Sequence, residues 1–275
     1  MAVIYQVDAF TDQIFKGNPA GVMLLEGQFL EEELMLNIVK ELNVSEVAFV
    51  VSKNSHFDIR YFTPKAEVPL CGHATLAAAH ILYELNLVPT SEPIVFQAPK
   101  DQLEISFTAD GYQMKFPEYT LKSMALSLDA SSKLGLHIKE AFEVTNDWTM
   151  LVLESEEELA NFRPDARLLQ SLGLGQSIFT AESVPSAYLG REGSKKRDFV
   201  CRCFVPNLNI LEDPVTGSAH CALGVYWSKI LGKNELSSEQ ISERKGQLQL
   251  QMKNDSVYIL GKAKTVFKAE FYLKL

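Results

Sequence analysis

The sequence predicts an α+β protein of two pseudo-symmetric domains, each a curled, mostly antiparallel, barrel-like β-sheet wrapped around one central α-helix. Three observations carry this expectation. A strand–loop–helix motif occurs twice, about 145 residues apart. Each copy runs into a helix that is apolar nearly all round. Short β-like runs fill most of the remaining chain, instead of alternating with helices as a parallel βαβ sheet requires.

In the first copy of the motif, Arg60-x-Phe62-x-Pro64 is followed after four residues by Pro69-x-Cys71-Gly72-His73-Ala74. In the second, Arg202-x-Phe204-x-Pro206 is followed after seven by Pro214-x-Thr216-Gly217-Ser218-Ala219. Six matching positions in order point to two homologous halves. The helices that follow, with Ala77, Ala78, Ala79, Ile81 and Leu82 in one and Ala222, Leu223, Val225, Tyr226 and Trp227 in the other, have no polar face to offer water. Each therefore belongs at the centre of its half.

The first half reads as strands at 3–10, 20–25, 46–51, 57–62, 93–98, 103–108 and 112–116. Between them, FLEEELMLNIVKELN (29–43) spaces Leu30, Leu34, Ile38 and Leu42 by four residues behind acids in the first turn, the pattern of an amphipathic helix. The stretch from 117 to about 135, with Pro117, Ser123, Ser127, Ser131 and Ser132, reads as a connection between domains. The second half runs through DWTMLVLES, a helix near PDARLLQSL with Pro164 at its start, then SIFTAES, SAYLG, RDFVCRCF, GQLQLQMKN, SVYILGK and FKAEFYLKL. The expected domains are 1–118, with the C-terminal strand 264–275 crossing back to complete it, and 119–263, with an active site in the cleft between them.

Composition narrows the function. With 275 residues, 47% hydrophobic and 22% charged, the chain suits two modest cores. No transmembrane span or signal peptide is legible. The four cysteines, two of them as Cys201-x-Cys203, make no disulfide framework, so the cytoplasm is the expected compartment. A net charge of −9 argues against nucleic acid and anionic membrane as partners. Lys195-Lys196-Arg197 reads as a solvated hairpin turn. Cys201 and Cys203 have no evident histidine partner for zinc, so no metal is expected. Gly173-Leu174-Gly175 lies between helix and strand, the wrong order for a dinucleotide fingerprint, and it lacks the third glycine.

The two helix mouths are where chemistry is expected. The first N–H groups of a helix lack internal partners and carry about half a positive charge. Glycine there lets an anion approach the backbone. A small carboxylate is thus a suitable substrate for an acidic protein. Ser218 and Thr216 also suit simple helix capping; the pairing of Ser218 with His73 across the repeat favours a site. Asp213 and His73 are the natural polar partners. Glu46, at the head of an apolar strand after Asn43 and Ser45, is a candidate base whose pKa desolvation would raise. The residue pattern alone does not separate it from Glu41 or Glu67.

The blocks VDAFTDQIFKGNPAGV (7–22), SEVAFV (45–50), RYFTPKAEVPLCGHATLAAA (60–79) and EDPVTGSAHCALG (212–224) together resemble the signatures of the phenazine-biosynthesis-like (PhzF-like) isomerases. The resemblance implies the diaminopimelate-epimerase-type fold and a homodimer. It implies a cofactor-independent isomerase in which Glu46 moves a proton between carbons. His73, Asp213 and Ser218 then align with the polar catalytic partners, and Gly72, Gly217, Thr216 and Asn18 with the substrate-binding set. Two-thiol racemases of this fold carry a cysteine at each helix mouth; here Cys71 faces Thr216 across the repeat, a hydroxyl too weakly acidic for the second thiol's role. Cys71 is accordingly expected to be a small buried residue. A one-base epimerase, a small-acid hydratase and a metabolite- or protein-binding member with little catalysis are the alternatives.

Overall fold

The computed structural model describes residues 2–126, 128–184 and 197–272. The chain divides into two compact units, Met1–Lys115 with Ile259–Leu275, and Phe116–Tyr258.

The first unit contains β1 (Ala2–Ala9), β2 (Asn18–Leu25), α1 (Glu32–Leu42), β3 (Glu46–Ser52), β4 (Phe57–Phe62), β5 (Glu67–Val68), α2 (Gly72–Glu84), β6 (Ile94–Gln97), β7 (Gln102–Thr108) and β8 (Gly111–Pro117). Strands β1 and β2 are antiparallel, β2 and β3 parallel through the crossover helix α1, and β3 and β4 antiparallel. Strand β4 then pairs antiparallel with β5 and parallel with β6, and β6, β7 and β8 form an antiparallel meander. Every residue of α2 from His73 to Tyr83 is buried, and the helix packs on β1, β2 and β3. A helix without a polar side must be enclosed, and the curled sheet encloses it.

The second unit contains β9 (Leu121–Ser123), α3 (Leu128–Leu134), β10 (Ile138–Val144), β11 (Trp148–Leu153), α4 (Glu156–Asn161), α5 (Ala166–Ser171), β12 (Ser177–Glu182), β13 (Phe199–Val205), β14 (Ile210–Asp213), α6 (His220–Leu231), β15 (Glu235–Gln240) and β16 (Gly246–Met252). Its pairing repeats the first unit step for step. Strands β10 and β11 are antiparallel, β11 and β12 parallel, and β12 and β13 antiparallel; β13 pairs antiparallel with β14 and parallel with β15, and β15 antiparallel with β16. The duplication read from six sequence positions thus extends to the strand order and to the direction of every one of these pairs. The chain leaves through β17 (Ser256–Gly261) and ends in β18 (Ala263–Phe271), which pairs antiparallel along the whole of β1, from Ala2↔Phe271 to Ala9↔Ala263.

Each unit has its own core. Met23, Met35, Ile38, Val47, Phe49 and Phe62 belong to one. In the other, Phe162, Phe179 and Phe204 form a triangle of rings with centroids 5.1–5.7 Å apart, edge-on in two of the three contacts.

Several local expectations change. Helix α1 buries Met35, Ile38 and Val39, while Leu30, Leu34 and Leu42 are half-buried: the covered stripe lies beside the one the four-residue spacing suggested. The stretch 117–135 holds β9 and α3, so it is not a bare connection. Helix α4 is an addition, capped by Ser155 in front of three acids, and α5 is capped by the Asp165 carboxylate, with Pro164 one residue before the cap. SAYLG, Lys195 and Lys196 lie outside the described residues. Arg197 does not belong to a solvated turn: its guanidinium is buried between the Glu156 and Glu239 carboxylates.

The arginines of the repeat have a structural task that the sequence left unread. Arg60 donates Nε to Glu67 Oε1 (2.7 Å) and Nη2 to Glu67 Oε2 (2.6 Å), and its guanidinium lies 5.1 Å from the Phe62 ring centroid. Arg202 does the same with Glu212 (2.7 and 2.7 Å) and the Phe204 ring (4.9 Å). Glu67 sits opposite Phe62, and Glu212 opposite Phe204, in equivalent registers. Each forked pair clips a return strand to the strand before it and so sets where the following helix mouth begins.

Candidate active site

In the first unit, the chain brings Glu46, Cys71 and His73 together. Glu46 opens β3 opposite Ala20 of β2, and Ser45 Oγ donates to the Pro19 carbonyl (3.4 Å), which sets the buried Asn18 close by at the start of β2. The turn into β2 depends on Gly17, whose φ of +65° and closeness to the Ala9 carbonyl leave no room for a side chain. His73 is the second residue of α2 and is buried. Its Nε2 lies 3.2 Å from Glu46 Oε2, at ion-pair distance but off the line of a hydrogen bond, so this solvent-shielded carboxylate oxygen has no aligned donor. On the other side, Cys71 Sγ lies 3.5 Å from His73 Nδ1 and 3.9 Å from Nε2. The Thr75 hydroxyl donates to the Cys71 carbonyl (2.7 Å) and accepts from Tyr61 (2.5 Å), pinning the helix mouth to β4.

Glu46 differs from its competitors by position. Glu67 is committed to Arg60, and Glu41 is exposed on the last turn of α1. The expected upward shift of the Glu46 pKa is corrected. Burial does push it up, but the adjoining His73 and Ser45 outweigh burial and hold the carboxyl below its ordinary value. Burial likewise would push the His73 imidazole down; Cys71 and Glu46 at its two nitrogens outweigh this and keep it well above the ordinary histidine value. The Cys71 thiol is pushed up, foremost by burial. Glu46 therefore stays an ionised base beside a positively charged imidazole. Cys71 is buried as expected, yet it touches the histidine of the site.

In the second unit, Asp213 closes β14 and accepts from the Thr216 hydroxyl. Gln240, the last residue of β15, completes a ring: its Oε1 accepts from Thr216 N (2.8 Å) and its Nε2 donates to the Asp213 carbonyl (2.7 Å). Gln240 went unnoticed in the sequence, where nothing marks one glutamine among polar strand residues. Gly217 is buried and Ser218 exposed. Neither Thr216 nor Ser218 caps α6 with its side chain, which corrects the capping reading. A tight turn, with His220 N donating to Gly217 O (3.0 Å) and Cys221 N to Ser218 O (3.1 Å), leads into the helix instead. His220 donates Nδ1–H to the Thr216 carbonyl (2.9 Å), and its Nε2 lies 3.9 Å from Cys201 Sγ. Cys201 thus does have a histidine neighbour, brought to it by the fold from 19 residues away. Burial lowers the His220 pKa to about 4.

Among the described residues, Glu46, Cys71 and His73 form a group of three metal-capable side chains, with donor atoms within 4.8 Å of one another. Among the same residues, no helix is long and apolar enough to cross a membrane.

Comparison with known proteins follows the same blocks. The family profile described as phenazine biosynthesis-like protein matches residues 7–269. The chain is 38% identical over 271 residues to an uncharacterized isomerase of Halalkalibacterium halodurans, covering 98% of each. It is 37% identical over 271 residues to an uncharacterized isomerase of Pseudomonas aeruginosa, again covering 98% of each. Among solved structures, it is similar to a PhzF-family phenazine biosynthesis protein of Enterococcus faecalis, with a TM-score of 0.90 at 38% identity over 99% of both chains.

Proposed function

This chain belongs to the phenazine biosynthesis-like family, and on that premise we propose that it is a cofactor-independent isomerase of a small carboxylate, in which Glu46 carries a proton from one carbon to another. The observation that carries this reading is the pairing of Glu46, an ionised, largely buried carboxylate, with His73 at 3.2 Å on the mouth of a buried helix. Held ionised, Glu46 is free to accept a proton from carbon, and once protonated beside His73 it readily gives that proton up again.

The step balances within the substrate. Glu46 takes a proton from one carbon; the electron pair left behind shifts along the conjugated system; the protonated Glu46 delivers the proton to the new carbon. His73 holds the carboxylate in place and offsets its charge. The backbone N–H of Gly72, at the start of a 13-residue helix whose N-cap provides no side-chain partner, suits the substrate carboxylate. In the second unit, Asp213, Ser218 and Gly217 are the proposed further substrate contacts, and Thr216 acts through Asp213, holding its carboxylate in one orientation. Asn18 is proposed as a further contact beside Glu46.

The test is proton exchange at carbon. Small amino and hydroxy acids with an unsaturated bond are incubated with the protein in D₂O and followed by NMR. The wild-type chain should introduce deuterium or move the double bond, and Glu46→Gln should lower the rate by at least about a thousandfold, as loss of a proton-carrying base does. A ligand that binds measurably and never exchanges would favour a binding protein.

A further inference from the structure

We propose that Glu46, Cys71 and His73 form a binding site for a single soft divalent cation of the zinc class, formed by the mouth of α2 and the head of β3. A tetrahedral zinc ion, with bonds of about 2.3 Å to sulfur and about 2.0–2.1 Å to nitrogen and oxygen, sets its ligand atoms about 3.3 Å apart for nitrogen and oxygen and about 3.6 Å apart for sulfur and nitrogen. Here His73 Nε2 stands 3.2 Å from Glu46 Oε2 and 3.9 Å from Cys71 Sγ, within a few tenths of an ångström of both edges.

A second observation points the same way. Glu46 Oε2 is shielded from solvent, and no donor is aligned on it, although the imidazole stands at contact distance. A metal between the two groups would satisfy both at once. One thiolate, one imidazole and one carboxylate select borderline-to-soft ions; magnesium and calcium, which take oxygen ligands, are excluded. Three protein ligands leave a fourth position for water or a ligand carboxylate. The Cys201–His220 pair is the internal contrast: its 3.9 Å separation has no third donor among the described residues.

Binding requires the Cys71 thiol and the His73 imidazolium each to give up a proton to solvent as the sulfur–metal and nitrogen–metal bonds form, so two protons leave per ion bound. An ion in this position also engages Glu46, and we expect it to stop proton transfer to carbon. That consequence rests on the function proposed above; the binding itself does not.

The experiment uses the full chain, stripped with EDTA and freed of chelator, titrated with Cd²⁺ and with Zn²⁺ against a competing indicator. The wild-type protein should bind one equivalent, release two protons and, with Cd²⁺, develop thiolate-to-metal charge-transfer absorption. Cys71→Ser should abolish that absorption and weaken binding at least tenfold. Glu46→Gln should keep the absorption and weaken binding by a similar factor, which answers the question even where Cys71→Ser fails to fold. Cys201→Ser should bind as the wild type does. No stoichiometric binding, or binding that neither Cys71→Ser nor Glu46→Gln alters, overturns the proposal. The isomerase reading is judged separately, by exchange in the metal-free protein.

Discussion

Arg60 and Arg202 hold the same place in their units and grip equivalent glutamates, but in different surroundings. The Arg202 and Glu212 side chains are 8% and 18% exposed, against 21% and 29% for Arg60 and Glu67. Arg202 also donates to the carbonyls of Leu159 (3.1 Å) and Phe162 (2.5 Å), so it cannot turn to water if its carboxylate is lost. Glu212→Gln should therefore cost about 3 kcal/mol, as breaking a buried pair from one side does. Glu67→Gln, nearer solvent, should cost about 1 kcal/mol. Urea unfolding of the two variants measures the difference; equal losses would show that burial does not govern these clips. The same neighbourhood logic singles out Glu46, since Glu67 is already engaged and Glu41 faces water.

At the scale of the element, α6 is a buried helix with a buried histidine in its first turn. His220 is neutral in the folded chain, with its pKa lowered to about 4 by burial, against 6.5 when free. Between those values the unfolded chain binds a proton that the folded one refuses, so stability falls as pH drops from 6.5 toward 4. The loss approaches about 3 kcal/mol at the lower end. His220→Gln can still donate to the Thr216 carbonyl but cannot take up the proton. Its stability should therefore fall less between pH 7 and pH 4.5 than that of the wild type. Urea midpoints for both proteins at the two pH values test this, and parallel losses would remove His220 from the account. Helix α2 differs in its mouth, where Cys71, His73 and Glu46 meet. Each helix is enclosed for the same reason, yet only the local side chains decide what its N-terminus does.

On the scale of the whole molecule, the first unit is discontinuous in sequence. Strand β18 runs the full length of β1, and without it β1 would present an unpaired edge. A chain ending at Lys262 should lose on the order of 10 °C in Tm or be recovered as aggregate. A truncated protein that melts as the full chain does would mean that β18 adds nothing to the unit. The repeated pairing of the units, each with one parallel pair ahead of its buried helix and a second spanning it, explains why the same short motif could be read twice. One supersecondary plan is executed by two sequences, with a loop of different length between Phe62 and Glu67 than between Phe204 and Glu212.

Local pattern determined a good deal by itself. The period-two runs, the two helices with no polar side and the doubled Arg-x-Phe-x-Pro motif sufficed for the fold class and the duplication, because burial and backbone pairing are written into residue type and spacing. The same pattern marked Glu46 and His73 only as candidates. What tertiary structure decided were the side-chain contacts, some across long stretches of chain (Glu46 with His73, Gln240 with Thr216) and some local (Cys71 against that histidine, and the arginine clips). The direction of the Glu46 pKa belongs to this second class. Desolvation can be anticipated from an apolar strand, but the histidine that outweighs it arrives from 27 residues along the chain. Electrostatic balance depends on distance in space, which no run of sequence states.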